Sequence, residues 1–157
     1  MARSTPATVF LNARGVAFEL HTYDYDPGAD RIGLQAAEAL GAPPRSVLKT
    51  LVVKVDGKPA CVVLASDREA SLKKVATAFG GKAATMAPPA EAERITGYKV
   101  GGISPFGQRR SLPTVIDSAA MSEPYVFVNG GQRGLQIRLD PADLVRATGA
   151  TVADVLS

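Results

Sequence analysis

The stretch LKTLVVKV, residues 48–55, predicts a β-strand because it combines β-branched and apolar residues without a turn residue. Side chains alternate between the two faces of a strand, so Lys49 shares a face with the apolar residues at 51, 53 and 55. Lys54 falls on the other face with Thr50 and Val52, where we expect a solvated lysine. A lysine among core residues must find an anionic partner or lose its charge. Lys49 is therefore either a strand-end residue whose amine reaches solvent or the floor of an anion-binding pocket.

The chain around this strand reads as an α+β fold with a mixed sheet flanked by helices. Asp56-Gly57 separates the strand from the apolar run 61–64, which is a strong hairpin signal. A tight hairpin among alternating strands and helices excludes a purely parallel sheet. We predict further strands at 18–23, 114–117, 125–128 and 135–139. We predict helices after a cap at Ser4 or Thr5, over 34–40, 72–79 and 88–95, after Asp140 and, briefly, from Thr151.

Composition narrows the class of protein. The length of 157 residues favours one domain over residues 1–157, and 46% hydrophobic residues can fill its core. Cys61 lies in an apolar run and is expected to be a buried thiol; with His21 it cannot form the usual zinc sites or a catalytic triad. No dinucleotide or P-loop motif is present, and no apolar run has the roughly 20 residues of a membrane helix. We therefore expect a cytoplasmic protein that has no cofactor, metal site or membrane partner.

Two glycine-rich segments are candidates for ligand contact. They are GYKVGGISPFG at 97–107 and NGGQRG at 129–134. Glycine lets the backbone approach a ligand closely, and consecutive N–H groups can cradle an anion, but both segments can equally be turns. The surrounding basic and aromatic residues fit either a single-stranded nucleic-acid end or a solvated surface; they are Lys99, Arg109, Arg110, Arg133, Tyr98 and Phe106.

Six short motifs together resemble the YbaK/EbsC family in their order and spacing. The resemblance extends from about Thr5 to Val155. It implies a mixed sheet, partly closed like a barrel, and a free-standing aminoacyl-tRNA deacylase similar to the inserted editing domain of prolyl-tRNA synthetases. The branch that the chain resembles removes cysteine mischarged onto proline tRNA, so the implied partners are the acylated 3′ end of a tRNA and prolyl-tRNA synthetase. The motifs are His21-Thr22-Tyr23, Lys49-Thr50-Leu51, Gly97-Tyr98, Gly101-Gly102-Ile103-Ser104-Pro105, Leu112-Pro113-Thr114 and Gly130-Gly131-Gln132-Arg133-Gly134-Leu135.

The resemblance also implies roles for individual residues. Lys49 matches the family's essential lysine, and backbone N–H groups of Gly101 and Gly102 are expected to orient the ester carbonyl or stabilise an oxyanion. The expected substrate-binding residues include Asn129 and Gln136, which stand where well-known members carry a serine and an aspartate. Gln136 can donate and accept hydrogen bonds but cannot act as a base. The remaining expected substrate-binding residues are Tyr23, Thr50, Ile103, Ser104, Pro105 and Gly130.

The implied reaction is cleavage of an aminoacyl ester without a protein nucleophile. Because the ester is already reactive, positioning and charge stabilisation can suffice. The resemblance suggests that the thiol of a cysteinyl substrate attacks its own ester, with water attack as the alternative. Two other hypotheses for the function remain: a deacylase for alanine or serine, and a non-catalytic module that binds tRNA or prolyl-tRNA synthetase. We expect His21 to be structural, and Ser104 to be held extended by Pro105.

Overall fold

The computed structural model describes residues 4–26 and 32–157, and within them it contains five α-helices and eight strands. The helices are α1 (Pro6–Ala13), α2 (Ile32–Leu40), α3 (Leu72–Ala78), α4 (Pro89–Thr96) and α5 (Pro141–Thr148). The strands are β1 (Glu19–Thr22), β2 (Leu48–Val55), β3 (Lys58–Ala65), β4 (Ala84–Met86), β5 (Thr114–Asp117), β6 (Val126–Asn129), β7 (Leu135–Leu139) and β8 (Thr151–Ala153). None of these helices is long and apolar enough to cross a membrane.

The helix ends follow the predicted capping residues. At α1, Thr5 and Thr8 form a reciprocal capping box, with the Thr8 N–H donating to Thr5 Oγ1 at 3.2 Å and the Thr5 N–H donating to Thr8 Oγ1 at 2.9 Å. At α5, the Ala142 N–H donates to the Asp140 carboxylate at 2.8 Å. Gly149 then ends α5 in the left-handed conformation. Residues within a few positions of each helix therefore mark where α1 begins and where α5 begins and ends.

The predicted hairpin organises the larger sheet. Asp56 and Gly57 have φ values of 50° and 82°, which gives the left-handed two-residue turn that matches strand twist. β2 and β3 pair in antiparallel register over their full lengths, whereas β3 and β5 are parallel. The sheet has the strand order β4-β2-β3-β5-β8. The prediction of a mixed sheet is therefore confirmed.

The strands form two sheets rather than one partly closed barrel. β1, β7 and β6 make a second, antiparallel sheet. The two sheets are joined by a single bridge between Val47 and Phe127, so the ladder of hydrogen bonds does not continue around a barrel. The largest hydrophobic cluster packs between them and includes Leu48, Ile116 and Ile137. The α+β class is confirmed, and the barrel-like closure is corrected to two sheets that meet along a seam.

Three local predictions need correction. Thr151 begins β8, not a helix, because Gly149 ends α5 and the following residues pair in parallel with β5, Thr151 opposite Val115. The three-residue strand β4 was not predicted. Lys54 is not a freely solvated lysine, since its Nζ lies 3.2 Å from a carboxylate oxygen of Glu91 at the start of α4. Each feature depends on a partner distant in sequence.

Candidate active site

A cavity of about 420 Å³ opens at the seam between the two sheets. Residues 48–52 of β2 form one wall, and the ends of β6 and β7 supply Asn129 and Gln136 on the other. Tyr23, just after β1, and the glycine segment at Gly101 close the sides. A mainly apolar wall comes from the connection between β4 and α4 and the first turns of α4, together with Ile103 and Val100. The lining is completed by Ala36, Val47, Ser66 and Glu69.

Strand β2 exposes unpaired backbone to this cavity. β4 pairs only with Val53 to Val55, and the Ala87 N–H donates to the Val52 carbonyl oxygen at 3.0 Å. Backbone groups of alternate residues point to the same edge of a strand. The N–H and C=O of Thr50 therefore point away from β3 and into the gap between β4 and the Val47 bridge. This gap offers one main-chain donor and one acceptor to a ligand.

Lys49 brings a positive charge to the cavity wall. Its side chain is 25% exposed, and its Nζ lies 3.9 Å from Oε1 of Glu69, a residue that is itself 71% exposed. A separation of this size at an exposed carboxylate gives a weak, solvent-screened interaction. The ammonium can therefore exchange this contact for a phosphate or another anion at the cavity. Its position near the start of β2 lets the amine reach solvent through the cavity, and binding of an anion there stays a prediction.

Three buried polar atoms of the cavity-lining residues have no hydrogen-bond partner among the described residues: Tyr23 Oη, Thr50 Oγ1 and Gln136 Oε1. Leaving a buried polar group unpaired costs about 1–3 kcal/mol, so such groups mark places where a ligand or water completes the site. Burial raises the pKa of the Tyr23 hydroxyl, and the nearby Gln136 side chain opposes that rise without reaching hydrogen-bonding geometry. The hydroxyl therefore stays protonated near neutral pH and can donate a hydrogen bond.

The glycine segment contributes one open N–H rather than two. Gly101 lines the cavity with φ of +89°, and its N–H donates to no group of the described residues. The Gly102 N–H instead donates to the Lys99 carbonyl oxygen at 2.8 Å and closes a turn. Gly102 is also absent from the cavity lining, and a Cβ there would lie 3.0 Å from the backbone nitrogen of Arg133. The structure thus gives Gly102 a packing role and leaves Gly101 available to an oxyanion.

Asn129 joins the two glycine segments. Its Nδ2 donates to the Gly101 carbonyl oxygen at 3.2 Å, and its Oδ1 accepts from the N–H groups of Gly131 at 2.7 Å and Gln132 at 3.2 Å. Although Asn129 lines the cavity, these bonds occupy its amide. Gln136, by contrast, lies opposite Asn129 in the register of β6 and β7 and keeps a free oxygen.

Several expected contact residues lie behind the cavity wall. Ser104 is fully buried, and its hydroxyl accepts from the Phe106 N–H at 3.2 Å. Neither Ser104 nor Pro105 lines the cavity, and Gly130 is likewise outside it, packed so that a Cβ would lie 2.8 Å from the Leu135 side chain. Ile103 does line it. These residues shape the loops, whereas Ile103 faces the ligand space.

The described residues contain no cluster of three or more His, Cys, Asp or Glu that could hold a metal ion. Cys61 is fully buried away from the cavity, and burial raises the pKa of its thiol to about 11. His21 packs edge-on against Phe127, with ring centroids 5.2 Å apart, and also lies outside the cavity lining. The groups that the described lining offers to chemistry in the cavity are the Lys49 ammonium, the Glu69 carboxylate, the Ser66 hydroxyl and the hydroxyl, amide and main-chain groups described above. Groups of the substrate itself can add to these.

Comparison with known proteins places this arrangement in a family. The model of the aminoacyl-tRNA editing domain matches residues 26–147. The chain belongs to this family. Family members with similar sequences include an Enterococcus faecalis protein named as a Cys-tRNA(Pro)/Cys-tRNA(Cys) deacylase, which is 33% identical over 136 residues, 85% of this chain and 82% of that protein. An Escherichia coli Ser/Thr-tRNA deacylase is 29% identical over 141 residues, 87% of this chain and 82% of the relative.

The fold of this editing-domain protein is also seen in solved structures. A structure described as a trans-editing enzyme for prolyl-tRNA synthetase superposes with a TM-score of 0.84 at 28% identity, and the match covers 99% of both chains. The resemblance to the YbaK/EbsC family is therefore confirmed. Sequence reasoning missed the apolar wall at Met86, Ala87, Pro89 and Ala92, because only the pairing of β4 with β2 brings it to the cavity.

Proposed function

We propose that this protein is a free-standing, cytoplasmic aminoacyl-tRNA deacylase that removes cysteine mischarged onto tRNA(Pro), with prolyl-tRNA synthetase as a candidate partner. One observation supports it above the others. The cavity combines a lysine with three unpaired polar atoms and an open stretch of backbone, yet neither the histidine nor the cysteine of the chain lines it. Such a site is equipped to hold a reactive ester, and it offers neither an imidazole base nor a thiol nucleophile of its own.

The substrate supplies the missing nucleophile in this proposal. The cysteinyl thiol passes its proton to water, which returns a proton to the ribose oxygen as that oxygen leaves, and the sulfur attacks the ester carbonyl carbon to form a four-membered thiolactone. The bond between that carbon and the ribose oxygen breaks, and the oxygen leaves as a hydroxyl after taking up a proton. Water then opens the thiolactone and releases free cysteine. This sequence of steps requires no oxidant, no reductant and no intermediate bound covalently to the protein.

The cavity residues position and stabilise this reaction. The Lys49 ammonium binds the phosphate or ribose region and sets the place of the ester. The N–H groups of Gly101 and Thr50 are the main-chain donors available for negative charge that develops on the carbonyl oxygen. Gln136 Oε1 can accept a hydrogen bond from the substrate ammonium. Because glutamine stays neutral, this contact orients the substrate without serving as a base.

A serine-specific deacylase is the main alternative. The unpaired Thr50 and Tyr23 hydroxyls could bind a substrate hydroxyl as well as a thiol, and the similarity to the Escherichia coli Ser/Thr-tRNA deacylase points in the same direction. Water would then have to attack the ester, since a serine hydroxyl is a much weaker nucleophile than a thiolate. Relative rates on cysteinyl, seryl and alanyl tRNA separate the two proposals.

The test compares Lys49 with a lysine on the same strand. Lys49→Ala should lower kcat/KM for Cys-tRNA(Pro) by about 100-fold, the scale expected when a bound ester is misplaced by about 1 Å. Lys54→Ala is the matched control, because Lys54 also lies on β2 but pairs with Glu91 outside the cavity lining. It should retain activity within about twofold. Full activity in Lys49→Ala would refute the role of Lys49, and faster release of serine or alanine than of cysteine would refute the thiol mechanism.

A further inference from the structure

An aromatic and a basic side chain lie beside Gly101, just outside the cavity lining. The Cζ atom of Arg133 is 5.4 Å from the centroid of the Tyr25 ring. Both residues pack on Gly101, since a Cβ added there would lie 2.9 Å from Tyr25 Oη and 3.3 Å from Arg133 Nε. Gly101 in turn lines the cavity. The pair therefore contacts a residue that lines the proposed ester site.

The Nε atom of Arg133 is hydrogen-bonded within the protein, whereas its two terminal nitrogens are available as donors. Its Nε donates to the Val100 carbonyl oxygen at 2.9 Å, and the residue is exposed. No carboxylate of the described residues forms an ion pair with it. Arg138 differs, because it stacks on the exposed Tyr125 but is ion-paired to Glu19. The terminal nitrogens of Arg133 are thus fixed in direction and open to an external anion.

The aromatic residues expected from the sequence are not available for this purpose. Tyr98 is buried and its hydroxyl donates to the Phe106 carbonyl oxygen, while Phe106 itself is fully buried. Neither ring can stack on a nucleobase. Tyr25 is partly exposed. Tyr25 is therefore the aromatic ring beside Gly101 that remains accessible.

We propose that Tyr25 and Arg133 form a subsite for the last nucleotide of an RNA 3′ end. This inference rests on the proposed function, which places the aminoacyl group in the cavity and hence its ribose at the mouth near Gly101. The base attached to that ribose is separated from the ester by the sugar ring, and it stacks against the pair of Tyr25 and Arg133. The guanidinium also binds a backbone phosphate. Stacking on an aromatic ring and a fixed arginine is a common way to hold single-stranded RNA.

Binding of an RNA hairpin that carries no amino acid tests the subsite independently of catalysis. The hairpin ends in unpaired ACCA with 2-aminopurine as the terminal base, and a second hairpin carries an abasic terminal sugar. Tyr25→Leu should weaken binding of the first hairpin about tenfold, the scale of one stacked base, and should abolish fluorescence quenching. Binding of the abasic hairpin should change little. Tyr25→Phe, which keeps the ring, should behave like the unmodified protein.

Matched variants separate this subsite from a general loss of structure. Tyr125→Leu removes the ring of the pair that Tyr125 forms with Arg138 and should leave binding of both hairpins unchanged. Arg133→Met should reduce the slope of log Kd against log salt by about 0.7, the value for one single-strand phosphate contact, whereas Arg138→Met should not. The proposal would be overturned if Tyr25→Leu weakened the binding of both hairpins equally, or if it weakened the binding of neither. Because these RNA hairpins carry no amino acid, either result is independent of whether the protein deacylates any substrate.

Discussion

Replacing Thr50 with valine should stabilise the protein while weakening its activity. Valine has the shape of threonine but lacks the hydroxyl, and Thr50 Oγ1 is buried without a partner among the described residues. The folded protein therefore carries an unpaired polar group whose desolvation costs about 1–3 kcal/mol. Removing it should raise the free energy of unfolding by about 1 kcal/mol, equivalent to about 3 °C in Tm. The substrate complex should lose one hydrogen bond and hence about fivefold in kcat/KM.

The assay pairs urea unfolding with deacylation kinetics in the same preparations. Thr114→Val is the control, because Thr114 also lies in a strand but its hydroxyl donates to the Leu112 carbonyl oxygen at 3.1 Å. That variant should lose about 1 kcal/mol of stability and keep its activity. If Thr50→Val were less stable than the unmodified protein, the hydroxyl would have a partner in the folded state. Unchanged kcat/KM would show that the hydroxyl does not contact the substrate.

Two further predictions concern packing and pH. Gly41 and Gly107 have nearly equal φ values, +65° and +63°, but a Cβ at Gly41 meets nothing within 4 Å, whereas one at Gly107 lies 2.7 Å from the Pro6 carbonyl carbon. Gly41→Ala should thus lower the free energy of unfolding in urea by about 1 kcal/mol, and Gly107→Ala should lower it by about 3 kcal/mol or more. Equal losses of stability in the two variants would contradict the close packing at Gly107. Because burial raises the pKa of Cys61 to about 11, the unfolded chain loses the thiol proton first, so the free energy of unfolding should fall as pH rises from about 9 to 11. Cys61→Ala should show a shallower fall, and an identical pH profile would count against the buried thiol.

Features specified by neighbouring residues could be predicted from the sequence. The turn at Asp56-Gly57, the capping box at Thr5 and the cap at Asp140 each depend on residues within a few positions. Alternation along β2 also placed Lys49 apart from Lys54 correctly. Those signals were enough to predict an α+β fold and to single out the lysine that lines the cavity.

Features that depend on distant partners could not be predicted in this way. β8 exists because Thr151 pairs with Val115, and the seam exists because a single bridge joins Val47 to Phe127. The glycine segment shows the same limit at finer scale. The family resemblance implied the same role for the N–H groups of Gly101 and Gly102, but the hydrogen bond from Gly102 to the Lys99 carbonyl oxygen leaves only that of Gly101 open among the described residues. Spacing along the chain does not reveal which backbone groups a fold has already used.

The open stretch of β2 at Thr50 also has a consequence for self-association. Unpaired strand edges are where protein chains add to one another and aggregate, and proteins usually cover or charge them. Here the unpaired stretch is short, lies between the pairing of β4 and the Val47 bridge, and is recessed in the cavity with Lys49 beside it. A strand from another molecule cannot enter so confined a gap, whereas an amino acid can. The recess thus keeps backbone hydrogen-bonding groups available to a small ligand without making the surface prone to intermolecular strand pairing.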